Sequence, residues 1–527
     1  NGKHTQSGYP MMANDPHRSL ASPSLRYMAH LVAPGWNVIG GGEPEIPGIS
    51  IGHNEQGAWG LTVFRTDAED LLLYETHPDH PNQYKYKGRW ESMLIIKDTI
   101  PIKGKDAAIV ELKYTRHGPV VFEHTKENIA WAVRCGWLEN GGSPYLASLR
   151  MNQAKNFEEF REACNYSNIP GENMIWADRA GNIGWQSVGI APIRRNWSSL
   201  VPVLGDGSYE WDGYLPITAK PNVYNPKDGM FITANENVTP PDYEFWDAIG
   251  YSWGDSFRGD RVAEVLASGK KHSLMDMAIL QTDYLSIPAR NLIPLLKPLK
   301  ANTPELEKIR QQLLHWDYQM EASSIEAGIY HAWEQEIRST MYELVIPKEA
   351  RAYLSLQMTK IITWLVLPDN KFGENPIKGR DEFLLSTLER ALEKLNEKLG
   401  KDTSNWQYGQ LNYKHVYIKH PLSNAVKADV RKQLNVGPLH RGGSSFTVNN
   451  TSSNDNQSHG ATFRIIVDTE NWDHCLGTNA PGQNGNPKHP HYRNLFEIWA
   501  NDQFFPLFFS KGKIEGVVSE RWILKGK

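Results

Sequence analysis

Hydrophobic positions recur every second residue over the first third of the chain, then every three or four residues further on. Leu25, Tyr27, Ala29 and Leu31 alternate with other residues before a break at Pro34-Gly35, the period of a half-buried strand. Met11-Met12-Ala13 predicts a short buried strand between two turns, Ser7-Gly8-Tyr9-Pro10 and Asn14-Asp15-Pro16. The second turn leaves His17 at its mouth. Tyr84–Ile102 predicts a hairpin-like set, Ile109–Tyr114 alternates again, and Met174–Trp185 predicts a hairpin turning at Asp178-x-x-Gly181.

Helical spacing takes over near residue 262 and holds to about 400. Thr303-Pro304-Glu305 reads as an N-cap, a Pro in the first turn and an early acid, ahead of Leu306, Ile309 and Leu313. Ile325, Ile329, Trp333 and Ile337 repeat the spacing over Ser324–Ile337. Asp381–Leu399 predicts the clearest helix, with Leu384, Leu388, Leu392, Leu395 and Leu399 on one face and Gly400 closing it. After Trp406 the chain returns to loops and strands, including Arg464–Asp468. Strands, then helices, then strands predict an α+β body of one large domain, residues 1–527, with a helical insertion.

Bulk composition narrows the function classes. A formal net charge of -4 with 22% charged residues argues against nucleic acid as the main partner. Hydrophobic content is 40%, yet the nearest approach to a long apolar run, Lys360–Leu367, is far short of the ~20 residues of a membrane span. Cys135, Cys164 and Cys475 lie far apart and allow one disulfide at most. The eighteen tryptophans are scattered without period, which favours core and cleft packing over a sugar-binding surface.

Several segments carry candidate chemistry. Gly48-Ile49-Ser50-Ile51-Gly52 fits the G-x-S-x-G pattern of a serine elbow, as in an α/β-hydrolase. An elbow needs a helix directly after the Ser, and Gly52, Asn54, Gly57 and Gly60 are poor helix material, so a tight strand-to-strand bend is the better reading. Asp67-x-Glu69-Asp70 supplies hard oxygen ligands in a short space, suited to Ca²⁺, or else a solvated acidic turn. His77 with His80, and His489 with His491, each lack a nearby third ligand for zinc. No glycine-rich phosphate loop is present.

Ser7-Gly8-x-Pro10 followed by Ala13-Asn14-Asp15-Pro16-His17 resembles the start of the β-chain of the penicillin acylase family of N-terminal nucleophile hydrolases. Gly52-His53-Asn54, Ala58-Trp59-Gly60, Thr115-Arg116-His117-Gly118-Pro119, Trp316-Asp317 and Ala480-Pro481-Gly482-Gln483-Asn484-Gly485 are similar to further landmarks of that family, in order. The resemblance implies a four-layer αββα sandwich and an amidohydrolase that removes the acyl group from a linear amide. The substrate expected is a small N-acyl compound such as a penicillin or an N-acyl homoserine lactone. The family's nucleophile is an N-terminal Ser exposed by self-cleavage of a precursor, with its own α-amine as base. That Ser would stand about six residues before Asn1. A small α-chain from the same precursor is the implied partner, and periplasm or secretion the implied location.

Residue by residue, the resemblance gives Val63 N–H and the Asn237 side chain as oxyanion donors, and Arg261 as the residue holding the nucleophile's region. It gives His17 as a positioning residue. It implies one structural Ca²⁺ held by Asp67, Asp70 and Asp247, with main-chain oxygens of Glu69 and Ser199, and no organic cofactor. By residue type alone, Val63 is a strand residue, Asn237 a turn former and Arg261 a helix-surface charge. The alternative function is a non-catalytic relative that binds N-acyl amides without cutting them.

Overall fold

The computed structural model describes residues 1–142, 146–195 and 197–526. Two antiparallel sheets lie face to face. One has seven strands, in the order Asn222–Tyr224, Ile183–Ser187, Glu172–Asp178, Gly57–Val63, Ile51–His53, Trp36–Gly42 and Tyr27–Ala33. The other has four: Met11–Asn14, Phe463–Asp468, Cys475–Asn479 and Phe505–Leu507. Their shared core buries Met12, Ile39, Ile51, Trp59 and Leu61 against Phe463, Ile465 and Val467. Helices cover both outer faces, Phe157–Cys164 on the larger sheet and Leu274–Gln281 on the smaller. The order helix, sheet, sheet, helix is the expected four-layer α+β sandwich.

A third sheet, of six strands, begins where the chain leaves Val63: Glu69–Glu75 pairs with Ile129–Cys135 in full antiparallel register. The helical insertion runs from Phe257 to Leu399 around its own core, with Leu313, Trp333, Ile337, Leu384, Leu388 and Trp406 fully buried. Thr303 caps its helix as expected, its side chain accepting from the Leu306 N–H. The helix expected to begin at Asp381 begins at Pro376, because Asn375 caps it by accepting from the Lys378 N–H. The helix expected to end at Ile337 runs to Val345.

Ser50 is buried and leads into the strand Ile51–His53, with no helix behind it, which removes the serine-elbow alternative. Cys135, Cys164 and Cys475 are all free thiols. Trp59, Trp176, Trp185, Trp333, Trp406 and Trp499 are fully buried, consistent with core packing. Among the described residues, no helix is long and apolar enough to cross a membrane.

Candidate functional site

A cavity of about 510 Å³ opens where the strand Met11–Asn14 crosses the end of the strand Gly57–Val63. Leu61, Phe231, Met277 and Phe446 give it apolar walls, and Asn14, His17, Val63, Asn235, Arg258 and His459 its polar ones.

Asn14 is buried and substitutes for a missing strand. The short strand Ile51–His53 pairs with its neighbour only at Ala58 and Trp59, which leaves one edge of Leu61 without a partner strand. The Asn14 side chain fills that edge: its Nδ2 donates to Leu61 O at 2.9 Å, and its Oδ1 accepts from Leu61 N at 3.3 Å. Gly60 makes the approach feasible, since a Cβ there would sit 3.0 Å from the Asn14 side chain. The clamp fixes Val63, two residues on. His17 follows on the next short strand, its Nε2 3.2 Å from Asp15 Oδ2.

The loop 233–237 faces Val63 from across the cavity. Asn235 sits at φ +74°, a left-handed conformation that Asn tolerates better than most residues. Arg258 donates from Nη2 to Asn235 Oδ1 at 2.9 Å and to the Ala234 carbonyl. With its oxygen so held, the amide directs Nδ2 to Val63 O, at 3.4 Å. Glu236 closes the loop by accepting from Ala234 N at 2.7 Å, and burial pushes its carboxyl above the usual range. Gly259 leaves room for that carboxylate as it stands, because a Cβ there would lie 2.2 Å from Glu236 Oε1 and the side chain would have to move.

Of the residues expected here, the structure brings Val63 and His17 to the cavity and keeps two others out. Asn237 is exposed, and its Oδ1 accepts from Thr239 N at 3.0 Å, as in an Asx turn. Arg261 turns away from the cavity and pairs with Asp283, at 2.7 Å from Nη2. Asn235 and Arg258 line the cavity instead. Position two residues earlier in a loop and one helical turn earlier decides this, and sequence type alone could not.

Behind Val63, on the neighbouring strand, Glu172 pairs in register with it. Its carboxylate is fully buried 3.5 Å from Arg18, and burial pushes its pKa up to about 7 against the pull of Arg18 and Arg26. Lys220, also fully buried, donates to Thr66 Oγ1, Val188 O and Gly189 O at 2.6, 2.7 and 3.0 Å, tying down the turn after Val63.

Of the side chains expected to hold Ca²⁺, Asp70 is hydrogen-bonded by a cation of the chain itself, Arg194, and the Asp247 carboxylate accepts from the Tyr251 hydroxyl at 2.7 Å. Arg194 donates from Nε to both oxygens of Asp70, from Nη1 to Asp247 O at 3.1 Å and from Nη2 to Asp67 O at 3.1 Å. The Ser199 hydroxyl donates to Asp67 Oδ2, while the Glu69 side chain is exposed and accepts from Cys135 Sγ at 3.4 Å. Among the described residues, no three His, Cys, Asp or Glu side chains converge as a metal site. The Asp70 carboxylate and the main-chain oxygens of Asp67 and Asp247 are thus taken up by Arg194.

The Penicillin amidase family profile matches residues 1–516. The chain is 27% identical to an acyl-homoserine lactone acylase, QuiP, of Pseudomonas fluorescens (strain Pf0-1), over 95% of this chain and 64% of that protein. It is 26% identical to a penicillin acylase 2 proenzyme of Pseudomonas sp. (strain SE83), over 98% of this chain and 68% of the relative. A thermostable penicillin G acylase from Alcaligenes faecalis shares the fold, with a TM-score of 0.80 at 22% identity, covering 100% of this chain and 98% of that one. The chain thus spans about two thirds of the length of these curated relatives.

Proposed function

Because this chain belongs to the penicillin amidase family, we propose that it is the large chain of an amidohydrolase that releases the acyl group of a linear N-acyl amide. The supporting observation is the constellation Arg258–Asn235–Val63 on the cavity wall. Asn235 Nδ2 gives one N–H to Val63 O and keeps a second, beside the main-chain N–H of Val63, and two such donors would stabilise the oxyanion of a tetrahedral intermediate. Arg258 sets the orientation of Asn235, and His17 lies near enough along the wall to position a nucleophile. The attacking group would be an N-terminal Ser outside this chain, activated by its own α-amine. Atoms balance in two steps: the Ser oxygen displaces the amine to give an ester, and water then releases the acid.

Two relatives bear on substrate and assembly. One is named for acyl-homoserine lactones and one for penicillin, and the second is named a proenzyme. An N-acyl homoserine lactone or a penicillin side chain is the substrate class we propose, with a small α-chain cut from the same precursor and a periplasmic or secreted location. The apolar walls at Leu61, Phe231 and Phe446 suit an acyl group more than a charged one. A non-catalytic amide binder would have no use for the half-buried Arg258 that orients Asn235, which favours the enzyme.

The test is amine release from an N-acyl homoserine lactone and from a penicillin by the native protein, with intact mass measured on the same sample. Turnover of either, with a second smaller chain present, is the expected result. Binding without amine release would establish the non-catalytic alternative.

A further inference from the structure

The chain carries its own cation where the family resemblance implies a metal. We propose that the Arg194 guanidinium is the resident cation between Asp67, Asp70 and Asp247, so that the protein holds no Ca²⁺ there and needs none to fold.

Three observations carry this. The first is donor matching. A guanidinium presents N–H groups in a rigid planar fork, and here Nε meets both carboxylate oxygens of Asp70 while Nη1 and Nη2 meet the main-chain oxygens of Asp247 and Asp67, all at 3.0–3.2 Å. Asp67 Oδ1 adds a fifth oxygen at 3.6 Å. The second is enclosure. The Arg194 side chain is fully buried, with the rings of Trp197 and Trp211 centred 5.6 and 5.9 Å from its guanidinium carbon. Trp211 also spends its indole N–H on Asp70 Oδ2. Ca²⁺ takes six to eight oxygens at about 2.3–2.6 Å, and two indole rings offer none. A second cation would also sit within a few ångströms of a fixed positive charge.

The third is that the arginine is placed by the fold. Arg194 ends the short strand Pro192–Arg194, which pairs with Trp211–Tyr214, and the register sets Arg194 opposite Trp211. The link it makes is the one a metal would make. Asp67 lies four residues past Val63, and Asp247 lies in the helix Trp246–Ile249, whose Ile249 carbonyl accepts from Asp67 N at 2.8 Å. A covalently attached cation keeps that link under conditions that strip metals.

The experiment uses the native protein, freed of loosely bound metal by gel filtration. Bound calcium is counted by mass spectrometry, and the melting temperature is compared in millimolar EDTA and in millimolar CaCl₂. A ligand that binds only the native state must raise the melting temperature. Calcium far below one per chain and a melting temperature that moves by no more than about 1 °C are expected. One tightly held calcium per chain, or a clear fall in EDTA, would overturn the proposal. Arg194→Met is the second arm, and a melting temperature well below that of the parent is expected. A variant as stable as the parent would show that the guanidinium holds nothing together. Should that variant fail to fold, calcium content and the EDTA response of the parent protein still decide.

Discussion

Asn235 and Asn237 stand two residues apart in one loop, yet their side chains have opposite assignments. Asn235 is oriented by Arg258 toward Val63, whereas Asn237 is occupied with the Thr239 N–H. Asn235→Ala should lower kcat by about 10²–10³-fold with a much smaller change in KM, the signature of a donor used in the transition state. Asn237→Ala should leave turnover near normal. Steady-state kinetics on both variants separate the two positions, and equal losses would refute the distinction.

Glu172 gives a second prediction at this scale. Its pKa is about 7 in the folded chain, against an ordinary value near 4.5. The fold therefore favours the neutral acid, and stability that is fully present below about pH 4.5 is lost as the pH rises through 7. Arg18, Arg26 and Glu43 are the charged groups facing it. Glu172→Gln should flatten that pH dependence and stabilise the protein at pH 8 by on the order of 3 kcal/mol. Urea midpoints across the pH range would show it. A parallel pH dependence in the variant would assign the slope to other groups.

Between elements, the Asn14 clamp joins the four-stranded sheet to the seven-stranded one at a single buried side chain. Asn14→Ala leaves the Leu61 N–H and C=O without that partner, and two buried groups at about 1–3 kcal/mol each predict a loss of ~2–6 kcal/mol. Denaturant midpoints measure it, and a loss under 1 kcal/mol would mean that water replaces the amide. Much at this scale was legible in the sequence. The period-two runs, the Thr303 cap and the Asp178 turn all depend on neighbours a few residues away, which sequence contains. Asn14 was legible as a turn residue but not as a surrogate strand, because its partner lies 47 residues on. The cation at Asp70 was hidden for the same reason. Three acidic positions look alike whether a metal or an arginine balances them, and Arg194 lies 124 residues from Asp70. The choice of Asn235 over Asn237 rests on a positive φ that composition does not reveal.

In the whole molecule, the sandwich and the helical insertion bury largely separate cores. The insertion contributes to the cavity chiefly through its first two helices, with Val262, Leu266, Met277 and Leu280 on the wall. Among the described residues, none from the long helices Ile325–Val345 and Pro376–Leu399 lines it. Trp333 lies between those two helices, fully buried, its indole N–H donating to Thr387 Oγ1 at 3.0 Å. Trp333→Ala removes the largest side chain of that contact and should cost about 3–5 kcal/mol through the cavity left behind. The loss belongs to the helical core, so the folded fraction should keep kcat within about twofold of the parent at 25 °C. Calorimetry and turnover on one preparation test both halves of the claim. A variant with normal stability would show that the helices repack around the gap. A variant whose folded fraction turns over tenfold more slowly would show that the helical core sets the geometry of the cavity, making the two bodies one mechanical unit.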